Sequence, residues 1–270
     1  MGESSMTDTT DAPGSSLVDS VTYSTDTRRL TVEEEREHRT SRLVAAVRTF
    51  SDLGFDEGVA GHITVRDPED PESFWVNPYG VHFSLVRRSD LVRLDADGRV
   101  VAGRHRVNKA AFAIHHAIHR ARPDVVAAAH AHTVHGRAWS TLGRPVAPIV
   151  QEACAFLDNH AVVSDYGGLI TEDSEAEAVV KGLGHRRAVT LMHHGNITVG
   201  GSVEEAAWWF VVLDRCCRIQ LLAEAAGTPA RIPPEGAALA ARQFGSPAKA
   251  RVSFEMLYQV ALAKHPDMLD

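Results

Sequence analysis

The stretch Val125-Val126-Ala127-Ala128-Ala129-His130-Ala131-His132 constrains this chain more than any other. Five small or branched apolar residues in a row, followed by two histidines one residue apart, predict a strand. Side chains on a strand alternate faces, so His130 and His132 project the same way, roughly 7 Å apart, close enough to bridge to one ion. The pair needs a third ligand to be convincing, because 15 histidines in 270 residues give roughly 0.8 His-x-His pairs by chance. A second apolar run, residues 188–197, carries His193 and His194 just before Gly195 and supplies one. Two strands that each end in histidine can converge on one ion.

These residues carry a family resemblance. Residues 108–222 resemble the class II aldolase/adducin domain, whose sugar-phosphate aldolases and epimerases bind a divalent metal through a His-x-His pair and a later His before Gly. The resemblance implies that His130, His132 and His194 are metal ligands. Strand alternation then turns His193 away. Three neutral imidazoles suit zinc, with manganese or iron(II) as alternatives.

Composition narrows the setting. At 44% hydrophobic and 23% charged residues, the chain is long enough for one large domain with appendages. A net charge of -7 without a dense Lys/Arg tract argues against a nucleic-acid or anionic-membrane surface. Cys154, Cys216 and Cys217 are too few and too badly spaced for a disulfide framework and read as reduced buried thiols. No apolar run of about 18 residues is available to span a membrane, and the N-terminus lacks the plan of a signal peptide. The expected location is the cytoplasm, and the expected partner is a small-molecule substrate.

In chain order, residues 1–29 are rich in Ser, Thr, Asp and Gly and are expected to form a disordered tail. Thr31 and Glu34 have capping-box spacing, and apolar residues from Leu43 to Phe50 continue as a helix until Gly54. Residues 61–66 and 74–77 read as a hairpin, and a second short hairpin is expected around Asp97-Gly98. Helices are expected at 108–121, around His135 and Trp139, and at 172–183, the last after a turn at Asp165-Tyr166-Gly167-Gly168. A second capping box, Ser202 with Glu205, opens a long helix that ends near Ala226 at Gly227. Of His115, His116 and His119, one imidazole is expected to pack and the others to face solvent.

Strands alternating with helices, plus an early hairpin, predict an α/β fold: a three-layer α/β/α domain with a central mixed β-sheet. The domain should run over residues 30–228. Residues 229–270 form a C-terminal extension with one amphipathic stretch, 254–263, expected to pack on the domain or on a neighbouring subunit. By resemblance the assembly is a homotetramer with its site at a subunit boundary.

Several positions depart from the sugar-phosphate enzymes. Ungapped alignment from Arg122-Pro123-Asp124 places Ala111 where those enzymes carry an acidic residue near the metal. Alanine neither carries a proton nor ligates metal. His62 replaces a small amide, Tyr79 a small hydroxyl residue, and Lys109 and Ala110 replace serines at phosphate-holding positions, although the turn glycine, Gly80, remains. The run from Val107 through Asn108 to His115 looks like the adducin-type branch. Gln151 falls where the aldolases have a catalytic tyrosine, Tyr166 matches a tyrosine they share, and Glu152 is the nearest replacement acid.

The resemblance and these departures together name Glu152, Tyr166 and His62 as catalytic and Asn108, Lys109, Gly80 and Gln151 as substrate-binding residues. The expected activity is metal-dependent C–C cleavage or decarboxylation of a small oxygen-rich acid through an enolate-like carbanion. Lys109 or Arg106 would meet the carboxylate. A non-catalytic adducin-like scaffold and an epimerase or dehydratase are the competing readings.

Overall fold

The structure is a computed structural model that describes residues 30–164 and 173–270. The expected tail at 1–29, the turn at 165–168 with Tyr166, and Glu172 lie outside the described residues.

Helix α1 (Val32–Asp52) begins at the expected capping box: the Thr31 hydroxyl accepts from the Glu34 amide at 3.2 Å, and the Glu34 carboxylate accepts from the Thr31 amide at 2.8 Å. Among the described residues eight strands follow: β1 (His62–Arg66), β2 (Phe74–Val76), β3 (Val92–Leu94), β4 (Val100–Ala102), β5 (Ala127–Ala131), β6 (His160–Val163), β7 (Ala188–Leu191) and β8 (Gly195–Gly200). They form one sheet in the order β4-β3-β2-β1-β5-β8-β7-β6. Both expected hairpins are present, and the sheet is mixed because β6 and β7 run parallel while the other neighbours are antiparallel.

Alternation on β5 builds the layers. Ala127, Ala129 and Ala131 face a core shared with α1 and with α5 (Val203–Ala226). Ala128 faces the opposite core, with Ile114 and Ile118 of α2 (Lys109–Ala121) and Val179 and Leu183 of α4 (Asp173–Leu183). Alanines let helices approach both faces of the strand closely, so the central strand is fully buried. Helix α3 (Val134–Ser140) leaves β5 directly, capped by Thr133.

Three local expectations change. The strand expected to end in histidine before Gly195 stops earlier, at Leu191: residues 192–194 form the turn of the β7–β8 hairpin, and His193 takes a left-handed conformation (φ 59°) there. His193 is exposed because of that turn, not because of strand alternation. The Ser202 cap is half a capping box, since Glu205 reaches back to the Gly201 amide and pairs with Arg251 instead. The C-terminal segment carries two helices, α6 (Pro234–Phe244) and α7 (Pro247–Lys264). Phe254 and Ala261 of α7 and Met268 lie in the same core as α1 and α5.

Candidate metal centre

The end of β5 lies beside the start of β8 and hence beside the β7–β8 turn, Ala131 pairing with Asn196 and Leu191 with Gly195. There His130 lies in β5, His132 just beyond it, and His194 in the β7–β8 turn. One ring nitrogen from each of the three lies within 4.8 Å of those of the other two. Nε2 of His132 and Nε2 of His194 are 3.0 Å apart, close to the ~3.3 Å edge of a tetrahedron with metal–nitrogen bonds of ~2.05 Å.

Tautomer and charge agree with this geometry. The Asn196 carbonyl only accepts, so Nδ1 of His130 is the donor at 2.9 Å and Nε2 keeps its lone pair. Burial pushes His194 down to about 4, with His132 adding to the effect. Burial also lowers His132, helped by nearby Arg137, and holds His130 well below the ordinary histidine range. Three imidazoles neutral at pH 7 form a donor set that fits a divalent cation without cancelling its charge.

His62 of β1 pairs directly with His130 across the sheet, with ring centroids 5.0 Å apart. Behind it, both His115 and His119 of α2 are buried, contrary to the expectation that only one would pack. The reason is Thr64: its hydroxyl lies 2.7 Å from Nδ1 of His115 and 2.9 Å from Nε2 of His119, so one β1 side chain serves both imidazoles.

The other expected site residues divide. Gly80, at φ 80°, lines a small crevice together with His62, Tyr79 and Asn108. Asn108 also borders a separate groove of about 580 Å³, where the exposed Lys109 lies with Asp97, Phe112, Arg120 and Glu177. Gln151 and Glu152 are exposed at the start of a short 3-10 helix, Gln151–Phe156. Glu152 opens onto a cavity of about 360 Å³ with Trp209, Arg215 and Lys249, whose lining includes none of the three histidines.

Two charged groups near the triad were missed. Arg137 of α3 lies close enough to depress His132 and is held by Glu57, Nη1 to Oε1 at 3.1 Å. A cation one helical turn past a strand-ending His-x-His was a legible signal. Glu57, in a loop between glycines, gave none.

The fold and the site together define an α/β protein with a cluster of three histidines, at the end of its central strand, that could hold a cation. The chain belongs to the class II aldolase/adducin family: residues 41–221 match the Class II Aldolase and Adducin N-terminal domain. It is 46% identical over 240 residues to the Decarboxylase NovR of Streptomyces niveus, covering 88% of this chain and 89% of that one. It is 45% identical over 240 residues to the 4-hydroxy-3-prenylphenylpyruvate oxygenase/4-hydroxy-3-prenylbenzoate synthase of Streptomyces roseochromogenus subsp. oscitans, covering 88% and 87%. Among solved structures, the L-fuculose 1-phosphate aldolase of Glaciozyma antarctica PI12 superposes with a TM-score of 0.84 at 38% identity, over 90% of this chain and 96% of that one.

Proposed function

We propose that this chain is a divalent-metal-dependent carbon–carbon lyase that removes carbon dioxide from a small hydroxy or keto acid. The observation that carries the reading is the convergence of His130, His132 and His194 as neutral imidazoles. Zinc is the proposed ion, with manganese or iron(II) as alternatives. When bound, it supplies Lewis acidity to a substrate oxygen beside the reacting carbon.

Decarboxylation suits a site with Ala111 in place of the acid. Loss of carbon dioxide leaves the bonding electron pair on carbon, so no base need first remove a proton. Arg137, whose charge reaches His132 and which is paired with Glu57, is the cation proposed to meet the substrate carboxylate in place of the exposed Lys109 and Arg106. Asn108, Gly80, Lys109 and Gln151 are proposed to contact the rest of the substrate. Glu152 and Tyr166 are the proposed proton donors. Because Glu152 opens onto a different cavity, it would serve the triad of a neighbouring copy in a homotetramer.

The relatives' names support this reading, one being called a decarboxylase and the other acting, by its name, on a prenylated phenylpyruvate. The word oxygenase in the second name favours one further reading, oxidative loss of carbon dioxide with iron(II) and dioxygen. The test is metal-free protein reloaded with zinc, manganese or iron(II) and given aryl and alkyl hydroxy and keto acids, with and without dioxygen. Carbon dioxide release that needs the ion and disappears in His132→Ala is expected. Release only with iron and dioxygen selects the oxidative reading. Equal metal content in wild type and His132→Ala, or turnover of phosphorylated ketoses alone, overturns both.

A further inference from the structure

Beside the triad, three buried nitrogen atoms have no hydrogen-bond partner: Nδ1 and Nε2 of His62 and Nε2 of His115. Buried polar groups are almost always paired, so three orphans in adjoining rings call for one explanation.

The hydrogen bonds behind them fix the tautomers. The Val125 carbonyl accepts from Nδ1 of His119 at 3.4 Å, which leaves a lone pair on Nε2. The Thr64 hydroxyl donates to that lone pair, and its oxygen accepts from Nδ1–H of His115. His115, kept neutral by burial, therefore carries its own lone pair on the orphaned Nε2. The His62 ring lies edge to face with it, centroids 4.3 Å apart. A neutral His62 has one N–H and one lone pair: the N–H matches the His115 orphan, and the lone pair is left over.

We propose that His62 is a fourth protein ligand of the ion, standing in for the carboxylate absent at Ala111, with its other ring nitrogen donating to Nε2 of His115. With the His62 ring closed on the ion, this arrangement would satisfy all three orphans together. The 5.0 Å between the His62 and His130 rings equals the spacing within the triad, 4.9 to 5.0 Å. His62 lies outside the set of nitrogens gathered within 4.8 Å, so ligation requires its ring to close on the ion. The inference rests on the triad holding a metal.

The experiment compares wild type with His62→Leu, Thr64→Val and His132→Ala, using zinc alone as the probe. It reads zinc Kd by chelator competition, imidazole number by X-ray absorption, and the melting temperature of the metal-free protein. Wild type should show four imidazoles. His62→Leu should show three, with Kd raised about 100-fold, and Thr64→Val, which unties the tautomer of His115, should raise Kd about tenfold. Metal-free His62→Leu should melt no lower than wild type, because an apolar side chain of similar size replaces an unpaired imidazole. Wild-type Kd and an unchanged imidazole count in His62→Leu overturn the proposal while leaving the triad intact. Wild-type zinc affinity in His132→Ala overturns the triad, and this inference with it. If His62→Leu does not fold, His62→Gln decides by the same count.

Discussion

The imidazoles set how this protein meets acid. His194 and His160 are pushed down to about 4 and His119 to about 3, in each case chiefly by burial, from an ordinary value of 6.5. A histidine depressed in the fold is protonated first in the unfolded chain. Stability is therefore complete above about pH 6.5 and is lost as pH falls through 4 toward 3. The melting temperature of the metal-free protein should be level from pH 8 to 7 and decline below 6.5, and a level trace down to pH 4 would refute the assignment. The triad was legible because strand spacing and a following glycine are sequence properties. The pairing of His115 and His119 was not, because a helical face can be read from one segment while Thr64, its partner, lies on another strand.

Helices and hairpins with local punctuation were readable: the Thr31–Glu34 box, the first hairpin and the turn at Asp97-Gly98 all form as their residues dictate. The β7–β8 hairpin was not, since its left-handed residue is a histidine and nothing before Gly195 announces a turn. The amphipathic stretch 254–263, expected to pack on the domain or on a neighbouring subunit, lies in helix α7, which packs on the domain and buries Phe254 completely between α1 and α5. Phe254→Ala should cost about 3–5 kcal/mol in denaturant unfolding. Leu262→Ala, on the exposed side of the same helix, should stay within about 0.5 kcal/mol. Equal losses would mean that α7 is not part of the core.

At the scale of the whole molecule, a cavity at Glu152 whose lining includes none of the three histidines makes assembly testable. A homotetramer predicts that His132→Ala and Glu152→Gln chains, each inactive alone, recover activity when mixed and refolded together. A stable monomer at micromolar concentration by light scattering would remove that scheme. No single segment of sequence shows which surfaces of separate copies meet, so this level was reached only by resemblance. Within the sheet, β5 is flanked unequally. On its β8 side the nitrogen that His130 keeps free for a ligand is chosen by the main-chain carbonyl of Asn196, a group present whichever residue occupies position 196. On its β1 side, the His62 ring lies against a relay of three side chains, His115, Thr64 and His119, that reaches the main chain only at its far end, the Val125 carbonyl. Mutation therefore has a free hand on one flank of the centre and almost none on the other: single substitutions can retune the chemistry through β1 and α2, while the β8 flank is inherited with the backbone.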